Sequence, residues 1–214
     1  MNTNIIRIAV LDDHQIIIDG LKLLLNDQMD LQVVIENKNA LHLLKALMET
    51  KVDIVLTDVF MPNQMSGVDF SRLLKERKDA PKLLVLSMNE DPKIIHQLID
   101  EIKVDGYISK EAGKEEVIEA IHKIYNGGNY YSKIIKKIHL QYLDTFAETQ
   151  KLHLTKRELE LLKCIVKHYS NKDIARELDI SERTVETHRK NIYRKTDTHG
   201  EAHLIQFIKE KNIL

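Results

Sequence analysis

The sequence predicts an α/β domain, a doubly wound five-stranded parallel sheet, followed by an all-α helix-turn-helix domain. Three observations carry this. Residues 5–125 alternate five short β-rich runs with five segments of helical apolar spacing. After Gly127-Gly128 the strand signal stops and only helical spacing continues. The charge divides at the same place: residues 1–128 carry 15 Lys and Arg against 21 Asp and Glu, and residues 151–214 carry 14 against 10. An acidic module followed by a basic one suggests a tail that faces a polyanion. The expected boundaries are 5–125 for the first domain, 126–149 for a linker with its own helix, and 150–214 for the second.

The strands are expected at Ile5–Leu11, Leu31–Ile35, Asp53–Thr57, Lys82–Leu86 and Val104–Ile108. Their near-continuous apolar character suits strands buried on both faces. Between them His14–Asn26, Ala40–Met48, Val68–Lys78, Pro92–Ile102 and Lys114–Tyr125 read as helices. In the linker, Ile135, Ile138, Tyr142 and Phe146 share one stripe over Ser132–Thr149. Thr155 and Glu158 then form a capping-box pattern ahead of a helix to His168. Asn171–Leu178, a turn at Asp179-Ile180, Glu182–Lys195 with Ser181 as its cap, and Glu201–Lys211 complete the tail.

Composition excludes several classes. Apolar residues at 43% and charged residues at 30% argue against wholesale disorder. No apolar run approaches the roughly 18 residues of a transmembrane helix, and the N-terminus lacks the pattern of a signal peptide. The lone Cys164 forms no internal disulfide or cysteine–zinc cluster, and its place in a helix suggests a small core residue. These features lead to the expectation of a reduced, cytoplasmic protein without a membrane partner.

In doubly wound sheets the chemistry lies beyond the carboxyl ends of the strands. Asp12 and Asp13 follow the first expected strand, Asp58 the third, Ser87 the fourth and Lys110 the fifth. Clustered carboxylates repel one another unless a cation joins them, and all-oxygen ligands suit Mg²⁺. A hydroxyl and an ammonium at the same edge suit an anion held beside that cation. Taken singly, each of these residues is an ordinary cap, turn or surface residue; their coincidence at four strand ends is the signal.

Asp12-Asp13-His14, Asp58 with Met61-Pro62, Ser87, and Tyr107-Ile108-Ser109-Lys110 resemble the receiver domain of bacterial two-component response regulators, a flavodoxin-like fold. The resemblance implies that Asp58 accepts a phosphoryl group from a sensor histidine kinase. It implies Mg²⁺ held by Asp13, Asp58 and the Phe60 carbonyl, with Asp12 acting through water. Ser87 and Lys110 would hold phosphoryl oxygens, and Tyr107 would be the aromatic whose burial reports the switch. The chain departs from the family in Met61-Pro62-Asn63-Gln64-Met65-Ser66-Gly67, a loop one residue longer than usual. The resemblance implies that Phe60 and Asn89 flank the hydrolytic water, where a phenyl ring suggests a long-lived phosphoryl group; the alternative is that Phe60 packs against the helix after the fourth strand and has no kinetic role.

In the tail, Val185 and Ile192 mark a buried helix face, with Arg183, Thr187, Lys190 and Arg194 nearly opposite and Glu186 at the edge. Three cations and a hydroxyl on one stripe suit contact with phosphates and bases, although a solvated charged face looks similar. Leu154-Thr155-x-Arg157-Glu158, Asn171-Lys172-Asp173-Ile174-Ala175 and Thr184-Val185-x-x-His188-x-x-x-Ile192 resemble the LuxR/NarL-type DNA-binding domain. That resemblance places base reading at Glu186, Thr187 and Lys190, with Thr184, His188 and Arg189 nearer the backbone. The last helix, with Ala202, Leu204 and Ile205, is similar to the family's dimerisation helix. The whole is identified as a member of the NarL/FixJ type.

The expected function is therefore a transcription factor, not an enzyme, in which phosphorylation of Asp58 controls homodimerisation and binding to palindromic double-stranded DNA. An aspartate-nucleophile phosphohydrolase would need a second Asp where Phe60 stands. A receiver never phosphorylated, serving only as a dimerisation scaffold, is the remaining alternative.

Overall fold

The computed structural model describes residues 5–61, 65–211 and 213–214, without the side chains of 148–151. Pro62, Asn63 and Gln64 of the lengthened loop lie outside the described residues. The chain divides into two compact units, Met1–Leu140 and Gln141–Leu214.

In the first unit, β1 (Ile6–Leu11), β2 (Leu31–Asn37), β3 (Ile54–Thr57), β4 (Lys82–Ser87), β5 (Gly106–Ser109) and β6 (Tyr130–Tyr131) form a sheet of order β2-β1-β3-β4-β5-β6. Every pairing is parallel. Successive strand residues point to opposite faces, and the core divides accordingly. Ile6, Ile8, Val10, Ile54, Leu56, Leu84, Leu86 and Ile108 pack beneath α1 (Gln15–Asn26) and α5 (Lys114–Tyr125). Ala9, Leu11, Val55, Leu83, Val85 and Tyr107 face α2 (Ala40–Glu49), α3 (Gly67–Lys75) and α4 (Pro92–His96). The sheet is thus doubly wound, and the order reverses between β1 and β3. At that point the chain can form a crevice at the strand ends.

The sheet has six strands where five were expected. Tyr130 and Tyr131 pair with Gly106 and Tyr107, and the Tyr130 and Ser132 amides donate to the Asp105 and Tyr107 carbonyls. Two residues show no periodicity, so the strand is invisible to pattern reading, although Tyr is a good strand former. The expected Pro92–Ile102 helix also changes character. Beyond α4 it continues as a π-helical turn, Gln97–Glu101, closed by the Ile102 amide on the Gln97 carbonyl at 2.9 Å.

One buried polar knot braces the far end of the sheet. The Asp105 carboxylate accepts from Lys75 Nζ at 2.5 Å, Lys82 Nζ at 3.0 Å and the Leu83 amide at 2.8 Å. Burial would raise its pKa, but these donors outweigh burial and hold it below the ordinary value.

A long helix, α6 (Lys133–Lys151), begins in the first unit and continues into the residues of the second. The second unit is helical: α7 (Lys156–Val166), α8 (Asn171–Glu177), α9 (Glu182–Thr196) and α10 (Glu201–Glu210). Leu161, Leu162, Ile165, Ile174, Val185, Ile192, Leu204 and Ile208 form its core, with Cys164 buried beside them. The capping box is present: Glu158 N donates to Thr155 Oγ1, and Thr155 N donates to Glu158 Oε2 at 2.7 Å.

Candidate functional site

The ends of β1, β3, β4 and β5 bring together the side chains named from the sequence. Lys110, just past β5, places Nζ 2.6 Å from both Asp12 Oδ2 and Asp58 Oδ2. Desolvation works against its charge, but the two carboxylates outweigh it and raise the ammonium's pKa above the ordinary value. On the other side of Asp58, Oδ1 accepts from the Val59 amide at 2.6 Å and the Phe60 amide at 3.2 Å. Asp58 is therefore gripped by both oxygens and held in one orientation. Asp12 is buried and accepts from the His14 amide at 2.9 Å.

Asp13 completes the group. Its Oδ1 is buried and has no hydrogen-bond partner of good geometry, although His14 Nδ1 lies 2.8 Å away. A buried carboxylate oxygen with so poor a hydrogen bond is costly unless a cation meets it. Asp12, Asp13 and His14 place ligand atoms within 4.8 Å of one another, and the carboxylate oxygens among them suit a hard cation such as Mg²⁺.

Ser87 is buried at the end of β4, and its Oγ accepts from the Asn89 amide at 3.2 Å. Tyr107 is fully buried and donates its hydroxyl to the Asn89 carbonyl at 2.6 Å. Burial pushes that phenol's pKa well up, so it remains a donor. The same loop thus meets Ser87 through its amide and Tyr107 through its carbonyl. Phe60 is 65% exposed and lines the mouth of the crevice with Met88, Ile16 and His14.

Sequence reasoning did not single out Gly67, the first residue of α3. A Cβ there would lie 1.9 Å from the Asp58 carbonyl oxygen and 2.6 Å from Val59 Cα. The signal was legible: the loop after Met61-Pro62 ends in glycine.

In the second unit, α8 and α9 form the helix-turn-helix. Asp179 adopts φ 50° in the turn, a left-handed conformation that Asp tolerates better than most residues. The Arg157 guanidinium donates to the Leu178 carbonyl and so fastens the turn to α7. Ser181 caps α9 by accepting from the Thr184 amide at 3.1 Å. Val185 and Ile192 face inward, whereas Arg183, Glu186, Thr187, Lys190 and Arg194 are exposed. Thr184 and His188 are half-buried at the edges of that face. Thr187 Oγ1 donates to the Arg183 carbonyl at 2.9 Å, leaving its oxygen lone pairs to accept.

Arg189 differs from its neighbours. Its side chain is only 13% exposed and pairs with Glu201 Oε2 at 2.9 Å, joining α9 to α10. The expected position near a nucleic-acid backbone is therefore occupied by a guanidinium already committed within the unit.

Residues 8–122 match the family described as response regulator receiver domain, and residues 152–208 match bacterial regulatory proteins of the luxR family. The oxygen regulatory protein NreC of Staphylococcus haemolyticus is 32% identical over 97% of this chain and 99% of its own length. NreC of a Staphylococcus aureus strain shows the same identity and coverage. Among solved structures, RcsB from Salmonella enterica serovar Typhimurium, bound to a promoter in the presence of a phosphomimetic, superposes with a TM-score of 0.67. It is 20% identical, covering 96% of this chain and 98% of that one. ChrA, a response regulator of a heme-sensing two-component system, superposes with a TM-score of 0.56 at 25% identity, covering 99% of this chain and all of its own, 100%.

Proposed function

The chain belongs to the response regulators that join a receiver domain to a LuxR-type DNA-binding domain, and from that premise we propose that Asp58 is its phosphoacceptor and that α9 reads DNA. The observation that carries the first half is the double grip on Asp58, by Lys110 on Oδ2 and two amides on Oδ1. Phosphoryl transfer needs little beyond positioning and charge neutralisation, and both are supplied here. Asp58 Oδ2 forms the new bond to phosphorus as the bond to the donor's imidazole nitrogen breaks. A sensor histidine kinase is the donor class that the family implies. Lys110 then passes from Oδ2 to a phosphoryl oxygen, and the Ser87 hydroxyl donates to another.

Asp13, Asp58 and the Phe60 carbonyl would hold Mg²⁺, with Asp12 acting through water; the clustering of Asp13 with Asp12, its Oδ1 buried and met only by His14 Nδ1, supports this. When bound, the ion neutralises charge on the transferring group. A receiver used only as a scaffold gives no reason for the acidic cluster or for the Lys110 bridge.

Ser87 and Tyr107 both contact Asn89, so movement of the Ser87 hydroxyl toward a phosphoryl oxygen alters the loop that Tyr107 also holds. That loop is the proposed route from phosphorylation to homodimerisation. On α9, Arg183, Glu186, Thr187, Lys190 and Arg194 form the proposed DNA face, with Thr184 and His188 at its margin. Arg189 contributes by positioning α9 against α10.

The test is selection of fragmented genomic DNA by the purified chain, with and without acetyl phosphate. The expected outcome is enrichment of twofold-symmetric sites that the phosphodonor increases for wild type and not for Asp58→Asn. Equal enrichment under both conditions would contradict the proposal.

A further inference from the structure

Away from the acidic crevice, two histidines and a carboxylate converge where α6 meets the π-helical turn. His96 Nδ1 lies 2.8 Å from Asp100 Oδ2, and His139 Nε2 bonds the same oxygen from α6. The ligand atoms of all three residues lie within 4.8 Å of one another. The two imidazole rings stack with centroids 6.0 Å apart and planes inclined by 28°. Ile94, Ile99 and Ile138, on the same helical elements as the three residues, pack against the sheet's core and anchor those elements.

We propose that His96, Asp100 and His139 form a binding site for a divalent transition-metal ion of the zinc type, which fastens the start of α6 to the face formed by α4 and its π turn. The donor set argues for this class. Two imidazole nitrogens and one carboxylate oxygen suit zinc and its neighbours, whereas Mg²⁺ and Ca²⁺ take oxygen ligands. Tetrahedral zinc with bonds of about 2.0–2.1 Å separates its donors by about 3.4 Å. The cluster therefore needs only a small opening, in which the ion replaces the two bridging protons and water fills the fourth position.

The sequence positions explain why the site exists in this fold. His96 and Asp100 stand four apart, which puts them on one helical face. π-Helical turns are uncommon and occur disproportionately at functional sites. The third ligand comes from α6, whose first turns are anchored by Ile135 and Ile138 in the same core. An ion here would tie the receiver to the helix that continues into the second unit. This assignment is independent of phosphorylation at Asp58.

The test is titration of the chelator-treated full chain with Zn²⁺ by calorimetry. Asp12, Asp13 and His14 also cluster and must be separated from this site. Three proteins do so: wild type, Asp13→Asn, and His139→Gln, which keeps a donor for Asp100 but is a poor ligand. Wild type and Asp13→Asn should both bind the equivalent of Zn²⁺ that His139→Gln lacks. At a hundredfold excess over Kd the ion should raise Tm by about 5 °C in the first two only. His96→Gln repeats the test should His139→Gln prove poorly folded. Equal stoichiometry and affinity in wild type and in a folded His-to-Gln variant would overturn the proposal, as would loss of all binding in Asp13→Asn.

Discussion

Gly67 leaves no room for a side chain beside Asp58: a Cβ on it would lie 1.9 Å from the Asp58 carbonyl oxygen. Its amide donates to the Val59 carbonyl at 2.9 Å, so the start of α3 is pinned to the end of β3. The atom in the way is backbone, and it cannot swing aside as a flexible side chain would. Gly67→Ala should therefore displace the Asp58 backbone and cost roughly 1–3 kcal/mol of stability. Phosphorylation by acetyl phosphate should slow in the same variant, because the carboxylate leaves its place by Lys110. Thermal melts and timed mass spectra check both; an unchanged rate with unchanged stability would refute the packing argument.

Phe60 is exposed at the mouth of the crevice, not buried against α4. A phenyl ring offers no hydrogen bond to orient an attacking water and excludes it by bulk. Slow self-dephosphorylation is expected, with Phe60→Asn or Phe60→Lys accelerating it about tenfold, equivalent to about 1.4 kcal/mol of barrier. Timed loss of the phosphoryl group checks this, and an unchanged or slower decay would show that Phe60 is no shield.

Lys190 and Arg189 are neighbours with different surroundings. Lys190 is exposed on the outer face of α9, whereas Arg189 pairs with Glu201. Lys190→Ala should cost roughly 1–3 kcal/mol of binding to a selected site, relax preference at one base position, and leave stability unchanged. Arg189→Ala should instead lower the melting temperature of the second unit and weaken binding to all sequences together. Melting curves and binding to a panel of single-base variants separate the two.

Glu158 is buried and accepts from Lys195 Nζ at 2.6 Å as well as from Thr155. Burial pushes its pKa up, but these donors outweigh burial and hold it below the ordinary carboxylate value. A depressed folded pKa contributes stability that is fully present above the unfolded value of about 4.3 and is lost as pH falls through the folded one. NMR-monitored melting of α9 at neutral and acid pH should show this loss, and Glu158→Gln should flatten it. An identical acid response in the variant would remove Glu158 as the cause.

The legible part of this protein was what repeats or coincides. Five β/α alternations announced the sheet, and carboxylates at the strand ends announced the crevice, because those positions follow from the period of the strands. What escaped depends on contacts between distant residues. Tyr130-Tyr131 is too short to have a period and becomes a strand only because the β5 edge is open. The knot at Asp105 needs Lys75 and Lys82 brought across the sheet, which spacing does not reveal. A helical wheel places the stripe on α9, yet it cannot show that Arg189 pairs with Glu201. Gly67 ends the loop ahead of the helix expected from Val68, and its role appears only when its approach to Asp58 is measured.

The central claim is that Asp58 carries the signal as a phosphoryl group held by Lys110 and Ser87. Its most direct measurement is intact mass after incubation with acetyl phosphate and Mg²⁺. Wild type should gain the mass of one phosphoryl group, Asp58→Asn should gain none, and Lys110→Ala should lose most of the gain. No gain in wild type, or the same gain in Asp58→Asn, would contradict the account.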